Sequence, residues 1–285
     1  MTAASELVLT RTVADLQVQV ASLRNAGKRI GFVPTMGALH EGHLALVAEA
    51  RRRSDAVIAS VFVNPTQFAA HEDLGTYPRQ EARDAELLAG AGCSILFAPD
   101  AAEMYPDGFA TSVQVGGPSQ GLETDFRPHF FGGVAVVVAK LLNQVQADVA
   151  VFGEKDYQQL MVVRRMARDL DIPTEIVGAP TVRDDHGLAL SSRNAYLSTE
   201  ELAVARRLNV ILRDAGERAA AGEPVATAET GAAEALIAAG FDKVDYVAIR
   251  HAESLAPFSS AVYAPARILA AAWLGKTRLI DNMAV

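Results

Sequence analysis

Along the first two thirds of the chain, short unbroken apolar runs alternate with longer stretches that mix apolar and charged positions at helical spacing. The runs at 30–33, 57–63, 94–97, 149–152 and 175–177 predict strands, and the stretches at 42–53, 80–91, 134–146 and 156–170 predict helices. In the last of these, Leu160, Val163, Ala167 and Leu170 fall on one helical stripe. Strands without polar alternation are buried on both faces. Their alternation with helices therefore predicts an α/β fold, a doubly wound parallel sheet with right-handed crossovers.

After about Pro180 the texture changes. Two alanine-rich helices are predicted at 202–221 and 227–239, separated by Gly222-Glu223-Pro224, and strand-like runs follow at 244–249, 268–274 and 279–280. Helices followed by strands, without alternation, predict a smaller α+β domain. The expected division is a sheet domain over residues 1–181 and the smaller domain over 182–285.

Composition narrows the class. The 285 residues are 50% hydrophobic and 21% charged, which excludes a disordered or coiled-coil chain, and the net charge of −8 argues against nucleic acid as a partner. Cys93 is the single cysteine, so an internal disulfide or a multi-thiolate metal site is excluded, and its apolar run predicts a buried strand thiol. Residues 1–12 lack a basic-then-apolar signal pattern, and the greasiest window, 134–139, is ended by Lys140. A soluble cytoplasmic protein with no membrane partner is the expectation.

Ligands of parallel sheets bind beyond the carboxyl ends of the strands. His40, Asn64 and Gly153 each stand just after a predicted strand. The stretch Pro34-Thr35-Met36-Gly37-Ala38-Leu39-His40-Glu41-Gly42-His43 joins a strand to a helix start, where unpaired N–H groups and the positive dipole end would suit an anion. His40 and His43 are three apart and would share a face if the helix has begun, and Gly42 leaves the backbone open to a ligand. A histidine at a helix start also serves as a cap or a surface residue. A zinc pair is the other rival, although helical zinc sites favour i,i+4 spacing with a third ligand.

Three further loops carry polar groups. In Asn64-Pro65-Thr66-Gln67-Phe68 the proline sets a stiff turn with Asn64 extended, and two carboxamides could meet hydroxyls and a carboxylate. Gly153-Glu154-Lys155-Asp156 opens a helix in which Lys155 and Asp156 lie one turn from Gln159, although a solvated helix start uses similar residues. Leu190-Ser191-Ser192-Arg193-Asn194, near the domain boundary, sets two hydroxyls beside a guanidinium, a pattern also common in ordinary loops.

His-x-Gly-His after a strand resembles the signature of the adenylyl- and cytidylyltransferases and class I aminoacyl-tRNA synthetases, whose fold is Rossmann-like. The longer string Pro34–His43 resembles the pantoate–β-alanine ligase (pantothenate synthetase) family, and the resemblance runs from about Gly31 to Asn282. It implies a ligase that activates (R)-pantoate with ATP and passes the acyl group to β-alanine, with Mg²⁺ accompanying ATP and a homodimer as the assembly. ATP contacts are implied at Met36, Gly37, Ala38, Leu39, His40, Glu41, Gly42 and His43. They are also implied at Gly153, Glu154, Lys155 and Asp156, and at Val182, Leu190, Ser191, Ser192 and Arg193, with 182–285 acting as a lid. His43, His40, Lys155 and Arg193 would act on the reacting phosphates, and Gln67, Gln159 and Asn64 would hold pantoate or β-alanine. Asp84, downstream of Tyr77-Pro78-Arg79, matches an acidic position near the metal. One block departs from the family pattern. Where relatives read Arg-Pro-Gly-His-Phe-Arg-Gly-Val, this chain has Arg127-Pro128-His129-Phe130-Phe131-Gly132-Gly133-Val134, with Phe130 and Gly132 in place of a histidine and an arginine. A rival enzyme reading is a nucleotidyltransferase that leaves the nucleotide on its product, and a rival of another class is a nucleotide-sensing module with a dead site.

Overall fold

Apolar strands that tolerate no polar neighbour on either face must be covered on both sides, and the computed structural model builds such a sheet. It describes residues 7–68, 75 and 79–285. The chain forms two compact units: Met1–Val115, Arg127–Glu154 and Val162–Pro180 make one, and Gly116–Phe126, Lys155–Met161 and Thr181–Val285 make the other.

The first part of the chain runs β1 (Val8–Thr10), α1 (Val13–Asn25), β2 (Ile30–Thr35), α2 (Glu41–Arg53), β3 (Ala56–Val61), α3 (Glu81–Gly90), β4 (Ile95–Phe97) and α4 (Ala101–Met104). It continues through α5 (Glu123–Phe126), α6 (Phe130–Val145), β5 (Val149–Gly153), α7 (Tyr157–Asp169) and β6 (Glu175–Ala179). Six strands form one sheet in the order β1-β4-β3-β2-β5-β6, and every pair is parallel. From β2 the order runs outward to β3 on one side and to β5 on the other. The topological switch point therefore lies between β2 and β5, and the loop after β2 opens onto it. One core cluster joins Val33, Val57, Val149 and Val151 to Val47 of α2 and Leu88 of α3. The apolar run of α6 is buried along nearly its whole length.

In the second unit, α8 (Thr199–Ala205), α9 (Arg207–Ala220) and α10 (Val225–Ala238) precede β7 (Lys243–His251), β8 (Ala266–Leu274) and β9 (Thr277–Ala284). The three strands are antiparallel in the order β7-β8-β9. Leu208, Leu212, Leu236, Phe241, Ile249, Ile268 and Leu279 form their core. Segment 116–126 is tied in by buried polar groups. Gln158 donates to the carbonyls of Pro118 and Gly121 and accepts from the Glu123 amide, while Arg278 bridges Glu123 and Asp245 at 2.8 and 2.7 Å.

Several elements differ from the sequence expectation. The strand at 30–33 is the second in the sheet's chain order, because β1 and α1 precede it. In α1 the apolar Leu16, Val18 and Val20 stand two apart rather than at helical spacing, and only Leu16 and Val20 are buried. Helix α7 starts as a tight turn over Glu154–Asp156, and Leu170 is 53% exposed although it continues the stripe of buried Leu160, Val163 and Ala167. The predicted helix at 202–221 is divided at Arg206, and the short run at 279–280 belongs to the eight-residue β9. Among the described residues, no helix is long and apolar enough to cross a membrane.

Candidate functional site

The chain leaves β2 through two consecutive residues with left-handed backbone, Gly37 at φ 82° and Ala38 at φ 51°. For alanine this conformation costs about 1 kcal/mol and persists only where the surroundings hold it. The holding groups are visible. The Gly37 amide donates to Thr35 Oγ1 at 3.2 Å, the Ala38 amide to Asp84 Oδ2 at 3.0 Å and the Leu39 amide to Asp84 Oδ1 at 2.9 Å. Asp84, on the first turn of α3, is 1% exposed, and each of its carboxylate oxygens accepts one loop amide.

Helix α2 is capped by the histidines themselves. His40, in extended conformation, is the N-cap, and its Nδ1 accepts from the Gly42 amide at 3.1 Å. His43 Nδ1 accepts in turn from the His40 amide at 3.3 Å, and the two rings pack with centroids 4.2 Å apart. Three loop amides and the cap amides thus have protein acceptors, which revises the expectation of an anion site made of free backbone N–H groups. What the loop offers instead is the imidazole pair. A backbone N–H can only donate, so each Nδ1 must carry the lone pair, and each neutral ring must carry its proton on Nε2.

After β3, residues Pro65–Gln67 form a tight turn capped by Asn64, whose φ of −77° and ψ of 111° match the extended conformation expected before a proline. The Asn64 carboxamide is buried and engaged by protein. Its oxygen accepts from Tyr105 Oη at 2.9 Å and Thr66 Oγ1 at 3.0 Å, and its nitrogen donates to the Gly133 carbonyl at 3.1 Å. Gly133 allows α6 to sit directly on the turn, since a Cβ there would lie 2.3 Å from the Thr66 carbonyl oxygen. Arg127 donates to the Gln67 carbonyl at 3.1 Å.

In the second unit, Lys155 and Asp156 lie in the tight turn that leads into α7, and Gln159 falls in its first turn. The Lys155 carbonyl accepts from Asn282 at 2.8 Å, so β9 fixes the backbone that carries the ammonium. Val182 and Leu190 close a small hairpin through a 2.9 Å amide-to-carbonyl bond. Arg183 clamps it by pairing with both oxygens of buried Asp281 at 2.7 and 2.8 Å. Ser191 caps the following turn, accepting from the Arg193 amide at 3.3 Å, and Ser192 and Arg193 are half-buried. Asp184 anchors the hairpin tip. Burial pushes its carboxyl up, but the Leu188 and His186 amides and Arg206 outweigh that and hold it below the usual carboxylate range.

A family model described as pantoate-beta-alanine ligase matches residues 8–284. The chain belongs to the pantoate–β-alanine ligase family. It is 61% identical over 280 residues to the pantothenate synthetase of Caulobacter vibrioides, covering 98% of each chain. The crystal structure of pantothenate synthetase from Thermus thermophilus superposes with a TM-score of 0.89 at 52% identity, over 97% of this chain and 98% of that one. A pantoate-beta-alanine ligase from Francisella tularensis, crystallised with beta-gamma ATP and beta-alanine, matches with a TM-score of 0.80 at 34% identity, over 98% of this chain and 97% of that one.

In this ligase the block that departs from the family pattern packs on the Asn64–Gln67 turn. Phe130, in the family histidine position, lies under the Arg127 guanidinium at 3.9 Å, and Phe131 packs edge-on against it. Gly132 faces open space, the nearest atom to a methyl placed there being the Val113 carbonyl oxygen at 3.9 Å. The groups that sequence reasoning missed are Thr35, Tyr105, Arg127 and Gly133, together with the part played by Asp84. Each acts through a backbone group or a distant side chain, for which a sequence carries no spacing signal. Of the block before Asp84, Tyr77 and Pro78 lie outside the described residues.

Proposed function

We propose that the protein condenses (R)-pantoate with β-alanine to pantothenate at the expense of ATP. A pantoate carboxylate oxygen attacks the α-phosphorus, a P–O bond forms, and the α–β bridging bond breaks to release pyrophosphate. The β-alanine amine then attacks the acyl carbon of pantoyl adenylate, forming the amide, losing a proton and expelling AMP. Neither step needs a covalent enzyme nucleophile. Both need reactants held in line and charge offset on the departing phosphates.

The observation that carries this reading is the pair of capped imidazoles at the switch point of a family-member sheet, both with Nε2–H as donor. His43 donates to the phosphate that leaves and His40 to its neighbour. Lys155, Ser191, Ser192 and Arg193 act on the same polyphosphate. Met36–Glu41, Gly42, Gly153, Glu154, Asp156, Val182 and Leu190 line the nucleotide. Gln67 and Gln159 hold pantoate, Gln67 also bordering β-alanine, and Asn64 serves them by fixing the turn. Among the described residues no group of three or more His, Cys, Asp or Glu side chains could hold a metal ion, and both Asp84 oxygens are engaged. Mg²⁺ would enter as the ATP chelate and offset charge on the departing pyrophosphate. The protein works in the cytoplasm as a homodimer, which light scattering tests.

Purified protein given ATP and pantoate should release pyrophosphate, and AMP should appear stoichiometrically only once β-alanine is added. AMP or CMP left on the product would support the nucleotidyltransferase instead, and ATP binding without pyrophosphate the sensing module. His43→Ala should lower kcat by about a hundredfold or more in a folded variant.

A further inference from the structure

We infer that Asp84 is a positioning residue: its carboxylate clasps the Ala38 and Leu39 amides and so fixes the loop that aims both imidazoles. The inference rests on the assignment of His40 and His43 to ATP. Its geometry stands within one unit. Asp84 projects from α3 and is 46 residues from Ala38 in sequence, yet its oxygens lie 3.0 and 2.9 Å from two successive loop amides. Only a carboxylate can make this contact. Two adjacent N–H donors need two acceptors at carboxylate spacing, and an asparagine would set an NH₂ against one of them.

The glycine preceding the clasp is fitted to it. Gly37 has φ 82°, and a Cβ on it would lie 2.9 Å from Asp84 Oδ2 and 3.1 Å from Val61 Cγ1. A side chain at residue 37 would press on the carboxylate and on Val61 and would strain the left-handed backbone. Leu39, held by the second oxygen, is buried in the core cluster that contains Val33 and Val47. The next residue is His40, which caps α2 and bonds its own amide to His43. The path from carboxylate to imidazole is thus two residues of backbone without a free joint. A change at Asp84 reaches the imidazoles as a displacement.

Each oxygen accepts one amide and keeps a further lone pair, so kinetics must tell the clasp from metal ligation. In Asp84→Asn, kcat should fall on the order of ten- to a hundredfold in the folded enzyme, as expected for misplacement of groups aimed at a reacting phosphate. The KM for pantoate and the half-saturating Mg²⁺ concentration should stay near wild type. Gly37→Ala perturbs the clasp from the loop side with the carboxylate intact, and the same kinetic signature is expected. Both variants are assayed with the active fraction counted by single-turnover pyrophosphate release, so that a loss of folded protein alone leaves kcat unmoved.

A several-fold rise in the Mg²⁺ requirement of Asp84→Asn would overturn the inference in favour of a metal ligand. Wild-type kcat in Asp84→Asn would also overturn it. Should that variant fail to fold, Gly37→Ala decides alone, and wild-type kcat there counts against the clasp. His43→Ala separates the two levels. If it is inactive while both clasp variants are normal, only the clasp is wrong, whereas an active His43→Ala removes the site assignment itself.

Discussion

Gly133→Ala is the sharpest test of how the 64–67 turn is built. The new Cβ would stand 2.3 Å from the Thr66 carbonyl oxygen, 2.7 Å from its carbon and 3.0 Å from the Gln67 nitrogen, all of them backbone atoms. No rotamer relieves such a contact, so α6 and the 64–67 turn must separate by about 1 Å to reach ordinary packing distance. Overpacking of this kind costs about 1–3 kcal/mol, and losing the Asn64-to-Gly133 bond adds about 1 kcal/mol. The sum, about 2–4 kcal/mol, should lower Tm by roughly 5–15 °C in a chain of this size. The shift also carries Gln67 with it, and kcat/KM for pantoate should fall by up to about a hundredfold. The control is the adjacent glycine. Gly132→Ala meets only a carbonyl at 3.9 Å and should be neutral or stabilising by about 0.5–1 kcal/mol, the helix-propensity gain. Calorimetry and steady-state kinetics measure both variants. A Gly133→Ala protein melting within about 1 °C of wild type and with unchanged kcat/KM would refute the close-packing argument.

Three other outcomes are expected. Imidazole ¹⁵N spectra at neutral pH should show His40 and His43 as neutral Nε2–H tautomers, and a predominant Nδ1–H form at either would contradict the capping geometry. Asp184, with its carboxyl held low in the folded state, contributes stability that is present above the ordinary carboxylate pKa and lost as pH falls through the depressed value. Asp184→Asn should therefore flatten the acid limb of the stability curve, and an unaltered limb in pH-resolved melting would count against it. Burial pushes the Cys93 thiol up to about 12, so the native protein should resist thiol reagents at pH 8 and react fully after unfolding. Rapid labelling of folded protein would mean that the segment between α3 and β4 opens readily.

By itself, the sequence determined the sheet and its chemistry. Unbroken apolar runs at 30–33, 57–63 and 149–152 cannot be left half-solvated, so they became β2, β3 and β5, and the residues after them had to lie along the carboxyl rim. The string from Pro34 to His43, with its match across the chain, carried the family. Only the tertiary structure decided how these residues are held. Asp84 reads from the family pattern as an acid near the metal, and only the fold shows that it reaches two amides 46 and 45 residues away. Asn64 reads as a substrate ligand until Tyr105 and Gly133, 41 and 69 residues distant, engage its carboxamide. The histidine pair reads as two rings sharing a helix face, and only the fold shows that backbone amides take one nitrogen of each. The physical reason is common to all three. Apolar periodicity is a local property, written at fixed spacing, whereas a buried donor takes whichever acceptor folding brings within about 3 Å, and its distance along the chain is left unspecified.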